Sequence, residues 1–123
     1  MGQHTTSPYG KTHRVHDDGR IPTDNPFVDR DGAYPTIWTV GHRSPQGLAF
    51  DPITRTVWET EHGPRGGDEI NQLLPGGNYG WPMYSGGQNY DGTEVAHGRE
   101  TSELDLEDTE LPTVEFTPSI AIS

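Results

Sequence analysis

Apolar residues in this chain fall in short alternating runs between turns rich in Pro, Gly and Asp, with almost no helical spacing. Pro35-Thr36-Ile37-Trp38-Thr39-Val40 sets β-branched and aromatic residues between Pro and Gly, the composition of a strand. Gly47-Leu48-Ala49-Phe50 is a second apolar run, and Thr56-Val57-Trp58-Glu59-Thr60 a third. The Asp51-Pro52-Ile53-Thr54-Arg55 turn between them predicts an antiparallel hairpin. A long loop from Glu61 to Asp68 follows. Glu69-Ile70-Asn71-Gln72-Leu73-Leu74 alternates at first and predicts another strand, closed by the turn Pro75-Gly76-Gly77-Asn78.

Towards the N-terminus the pattern is weaker. Residues 10–16 hold one short strand, and Asp17-Asp18-Gly19 is a turn. Pro22 and Pro26 exclude a helix over 21–26, because each pushes its predecessor into extended geometry. Residues 1–9 read as a disordered tail. After residue 85 the composition loosens, and six carboxylates between Glu100 and Glu110 read as a solvated acidic loop. Leu111-Pro112-Thr113-Val114-Glu115-Phe116 starts a further strand. Trp38, Trp58, Tyr79 and Trp81 are expected in a core between sheets.

The expectation is an all-β protein of short hairpins and long loops. Such spacing suits propeller blades of roughly 40–45 residues. The 123 residues then hold two to three blades, an arc rather than a ring, since closure takes at least about four.

Composition narrows the function. The net charge is −11, so a duplex nucleic acid finds no basic surface on which to release its counterions. No stretch approaches the ~18 apolar residues of a membrane helix, and no signal peptide is visible at the start. Without cysteine there is neither a disulfide framework nor a thiolate metal site. Hydrophobic residues are 28%, low against the ~45–50% of globular domains on a scale that also counts Gly. Mean hydropathy is −0.83. These figures fit a chain that is partly unstructured or a piece of something larger.

Two loops carry the candidate chemistry. Gly41-His42-Arg43-Ser44-Pro45-Gln46-Gly47 packs polar side chains between glycines at a strand end. Glu61-His62-Gly63-Pro64-Arg65-Gly66-Gly67-Asp68-Glu69 does the same on a longer scale. Arg43 offers a planar donor fork for a carboxylate, phosphate or quinone oxygen, and equally for a structural ion pair. His42 and His62 are candidate bases or ligands, or structural hydrogen bonders. With no third His at ligand spacing, a zinc site has little support. Asp68 and Glu69 beside a glycine-rich turn suit a hard cation such as Ca²⁺. Asn71 and Asn78 default to turn and strand-end roles.

Taken in order, residues 41–52, 59–71 and 76–82 (the last reading Gly-Gly-Asn-Tyr-Gly-Trp-Pro) resemble the glucose/sorbosone dehydrogenase family. These are soluble aldose sugar dehydrogenases that use pyrroloquinoline quinone (PQQ) and calcium. The dense match covers 41–82, about a third of the chain, with weaker likeness back to Gly10 and forward to residues 117–121. The resemblance implies a six-bladed β-propeller, of which residues 10–123 are a fragment, inactive in isolation. It implies oxidation of a sugar C1 hydroxyl to a lactone, with electrons passing to PQQ and then to an external acceptor. By resemblance, Arg43, Ser44 and Gln46 face the cofactor, and Ser44 stands where the family usually has Asn. His62 and Asp68 face the sugar. The Gly63 and Pro64 carbonyls hold the calcium that bridges to PQQ, and Glu69 with the Tyr79 backbone forms a second calcium site. The family's His base lies upstream, and none of His4, His13 or His16 sits in a matching motif. The resemblance further implies a periplasmic or secreted full-length protein, with no nucleic-acid partner or membrane insertion, and leaves room for a homodimer. The alternative is a non-catalytic propeller of the same superfamily serving as a binding module.

Overall fold

A computed structural model describes residues 2–64, 66–82 and 110–116. Most of the acidic run and residues 117–121 lie outside the described residues. The architecture is all-β, built from strand and loop. Strands β1 (Lys11–His13) and β2 (Ile37–Val40) pair antiparallel. Strands β3 (Pro45–Asp51), β4 (Thr56–Glu61), β5 (Asp68–Leu73) and β6 (Val114–Phe116) form a four-stranded antiparallel sheet in chain order. This meander has the form of one propeller blade, consistent with the partial propeller expected from the sequence, and β1–β2 forms a separate two-stranded sheet.

Local chemistry explains the β3–β4 hairpin. The Asp51 carboxylate accepts from the Ile53 backbone N–H at 2.9 Å and the Thr54 hydroxyl at 2.7 Å. That cap tightens the turn, and Arg55 closes it in the left-handed region at φ 58°. At the other end of the hairpin Pro45 pairs with Glu61 but Gly47 pairs with Thr60, so β3 carries one extra residue there, Gln46. Such a bulge bends the strand and re-aims side chains at its rim. It falls in the first candidate loop.

Among the described residues the apolar core cluster is small: Phe27, Ile37 and Val40, with Ala33 packed against them, while Leu73 and Tyr79 are also buried. Trp38 and Trp58 are only half-buried, as is Trp81; of the four aromatics expected inside, Tyr79 alone is buried. Trp38 instead borders, with Leu48, Val57 and Leu73, a groove of about 350 Å³ between the two sheets. Leu48 and Phe50 on the edge strand β3 stay exposed.

Residues 2–9 are not the loose tail their composition suggested. Gln3 and Asn78 exchange side-chain amide hydrogen bonds at 3.0 and 2.8 Å, and Gln3 Nε2 also donates to the Trp81 carbonyl at 2.8 Å. Gln3, Thr5 and Ser7 are buried. Long-range amide pairing, invisible to local composition, orders the segment. The close approach runs through Gly41, at φ 81°, whose N–H donates to the Gly2 carbonyl. A Cβ at Gly41 would lie 2.5 Å from Asn78 Oδ1 and 2.6 Å from the Gly80 nitrogen. Gly41→Ala therefore meets both backbone strain and a clash, and should lower stability by about 2 kcal/mol or more. A shift of the urea midpoint measures it; an unchanged midpoint would show that the close approach of Gly41 to Asn78 and Gly80 does not bear on stability.

Candidate functional site

The two candidate loops meet. The Arg43 guanidinium donates through Nη1 to the His62 and Gly63 carbonyls, both at 3.2 Å, and lies 5.5 Å above the Trp81 ring. The His62 N–H donates to the Ser44 carbonyl at 3.1 Å. Gln46 Nε2 donates to Ser44 Oγ at 3.0 Å, so the serine hydroxyl is held by its neighbour. The Gly63 N–H donates to Asp68 Oδ1 at 3.0 Å. Arg43, Ser44, Gln46, His62, Gly63 and Asp68 thus form one constellation at the end of the β3–β4–β5 ladder.

The second loop is folded tightly on itself. A Cβ at Gly63 would collide with the Gly66 and Gly67 carbonyl oxygens, so the backbone of the loop folds closely against Gly63. Only glycine fits there. The Gly63 carbonyl accepts from the Arg43 guanidinium, and a backbone carbonyl oxygen is a donor of the kind a hard cation takes. Pro64 is buried beside it. Asp68 is wholly buried and holds the loop's backbone.

Behind the loops lies a buried polar cluster that residue type alone did not reveal. His42, 1% exposed, sits between Thr39 Oγ1, 2.8 Å from its Nε2, and Glu61 Oε2, 3.0 Å from its Nδ1. Its ring stacks on Tyr79, with centroids 4.8 Å apart. The Tyr79 hydroxyl donates to the Gln72 carbonyl and accepts from the Leu74 N–H. Across the β4–β5 ladder Glu59 faces Asn71 and Glu61 faces Glu69. Asn71 Nδ2 donates to Glu59 Oε2 at 3.0 Å and to Glu69 Oε2 at 3.1 Å. Burial pushes the Glu59 carboxyl up to about 8, helped by the nearby Glu61 charge. Burial and the same charge push Glu69 up to about 7. Burial also pushes the Tyr79 phenol up to about 12.

Comparison with known proteins decides the family. The glucose/sorbosone dehydrogenase family model matches residues 1–123. The chain belongs to this family. It is 45% identical over 114 residues to the aldose sugar dehydrogenase YliI of Escherichia coli, covering 93% of this chain and 30% of that protein. The apo crystal structure of the soluble E. coli aldose sugar dehydrogenase matches with a TM-score of 0.86 at 42% identity, over 96% of this chain and 33% of that one. The PQQ-bound aldose sugar dehydrogenase of Streptomyces coelicolor matches with a TM-score of 0.60 at 35% identity, over 76% of this chain and 26% of that one. The chain thus spans about a third of the length of these relatives.

Within the family motif, sequence reasoning picked out the loop residues and passed over Glu59, Glu61 and the central place of Asn71. A signal was there: Glu59 and Glu61 are two apart on one strand, as are Glu69 and Asn71 on the next. Period-two spacing puts each pair on one face.

A carboxyl whose value is raised on folding keeps its proton longer in the folded chain than in the unfolded one. The unfolded chain sheds it first, so stability is lost as pH climbs from the ordinary carboxylate range towards about 8, the Glu59 value. The urea midpoint of the metal-free chain should therefore fall steadily over that range. Glu59→Gln, which cannot ionise, should fall less; equal slopes for the two proteins would remove Glu59 as the cause.

Proposed function

We propose that the chain carries the cofactor- and sugar-facing loops of a PQQ-dependent aldose dehydrogenase. The observation that carries this reading is the Arg43 bridge, which fastens the first loop to the His62 and Gly63 carbonyls of the second. Bound PQQ would take up two electrons from the C1 hydroxyl of an aldose, leaving a lactone, before an external acceptor removes them. Arg43 supplies a permanent cation and a planar donor fork, suited to stabilise charge that develops on an oxygen acceptor. Ser44 and Gln46 complete the cofactor-facing loop. His62 and Asp68 border the sugar, with Asp68 also fixing the position of Gly63. The Gly63 and Pro64 carbonyls would hold a Ca²⁺ beside the cofactor, and Glu69 with the Tyr79 backbone would hold a second. The full-length protein would act in the periplasm or outside the cell, with a homodimer as its assembly, and the 123-residue chain alone would not turn over.

A second reading, a non-catalytic propeller that binds a partner or glycan, draws on one feature. The Ser44 hydroxyl, where the family usually has Asn, is occupied by Gln46.

Grafting this chain's matched 114 residues into the E. coli relative separates the two. The chimera should reduce a dye in the presence of an aldose, PQQ and Ca²⁺. Arg43→Ala in the chimera should cut kcat/KM by about 100-fold or more. A folded chimera that turns over equally well with Arg43→Ala would overturn the assignment of Arg43. A folded but silent chimera that Ser44→Asn revives would favour the binding module.

A further inference from the structure

We propose that Trp81 is a positioning residue for Arg43: its indole ring sets the plane of the guanidinium that the first loop presents to the cofactor. This role rests on the cofactor-facing assignment of Arg43 and adds a residue from a third segment of the chain to the site.

The Arg43 hydrogen bonds show what such a residue contributes. The bonds to the His62 and Gly63 carbonyls, 3.2 Å each, both leave from Nη1. Two bonds from one nitrogen fix a point more firmly than they fix a plane. An arginine differs from a lysine in being a flat donor fork, so its use to an oxygen acceptor depends on the direction in which the fork lies. A ring against one face of the guanidinium limits rotation about the fixed nitrogen. Arg43 Cζ lies over the Trp81 ring, 5.5 Å from its centroid. That is within the reach at which an aromatic face attracts a cation, and tryptophan offers the strongest such face.

The backbone pins Trp81 where this contact needs it. Residues 78–81 run parallel to 40–41. The Val40 N–H donates to the Gly77 carbonyl, the Tyr79 N–H to the Val40 carbonyl and the Trp81 N–H to the Gly41 carbonyl, each at 2.9 Å. Gln3 Nε2 donates to the Trp81 carbonyl at 2.8 Å, and the Gly80 N–H donates to Asn78 Oδ1 at 3.0 Å. Gln3 and Asn78 are buried and paired with each other, so the turn that carries Trp81 is fastened from the N-terminal segment as well. Both backbone groups of Trp81 are thus engaged, while its side chain stays half-buried and outside the apolar core cluster. Core packing therefore does not account for a tryptophan at this position, whereas the guanidinium over its ring does.

The test uses the chimera with the E. coli relative. First, without PQQ or sugar, the chimera is labelled with isotope-enriched arginine, and the Arg43 side-chain resonance is assigned by its loss in Arg43→Lys. The indole ring current should shift that resonance, and Trp81→Leu should return it to the ordinary arginine position. Second, in the loaded chimera, Trp81→Leu, which keeps apolar bulk without a π face, should lower kcat/KM by about 10-fold. Trp81→Phe, which restores a smaller π face, should recover most of that loss. Because Trp81 acts through Arg43, Arg43→Ala with Trp81→Leu should be no slower than Arg43→Ala alone; a merely structural role would multiply the two losses. The proposal is overturned if Arg43 shows no ring-current shift in the folded chimera, if Trp81→Leu turns over like the parent, or if the two losses multiply. A silent parent chimera refutes the reading in which Arg43 meets a cofactor, whereas a missing ring-current shift refutes the role of Trp81 alone.

Discussion

The Glu61 carboxylate is the joint on which the candidate site depends. One oxygen meets the His42 ring, and the other accepts from the Arg43 backbone N–H at 3.4 Å. Its backbone pairs with Pro45 on one side and Glu69 on the other. A single residue at the end of β4 thereby ties the first loop, the edge strand and β5 together. Because the side chain is almost wholly buried, those contacts are made where water competes weakly. The guanidinium bridge from Arg43 to the second loop builds on that anchorage.

The molecule is held to an unusual degree by polar burial. Among the described residues its hydrophobic cluster is three residues with one more against it, while the buried polar set includes Gln3, Thr39, His42, Glu59, Asp68, Asn71 and Asn78. Hydrogen bonds among such groups are directional, so they specify geometry more sharply than apolar contact does. They also leave little tolerance: a group without its partner is costly. The relation to the glucose/sorbosone dehydrogenases gives this economy a context. The chain spans about a third of the length of its relatives, and exposed Leu48 and Phe50 on β3 show how much apolar surface this third leaves uncovered by its own residues.

Much of the fold was legible in the sequence. The β3–β4 hairpin follows from two alternating runs around an Asp-Pro turn, and β5 from the alternation after Asp68. The two loops could be identified by their density of glycine and polar side chains, and the order of three motifs pointed to the family. The N-terminal segment was misread because its order comes from Asn78, seventy-five positions away. The tryptophans were misplaced because aromatic character says how much area a side chain can bury, not whether a neighbour is there to cover it.

By itself, then, the sequence determined the strand periodicity, the turns and the two loops, since these depend on residues close together in the chain. It also set the chemistry available at each position: a guanidinium at 43, carboxylates at 59, 61, 68 and 69, and glycine where positive φ or close approach is needed. Only the tertiary structure decided which of these groups meet. Strand register put Glu59 opposite Asn71 and Glu61 opposite Glu69, and a shift of one residue would have turned those side chains to the other face. Burial then changed their chemistry, because a carboxylate removed from water without a full set of partners is a different acid from the same carboxylate on a surface.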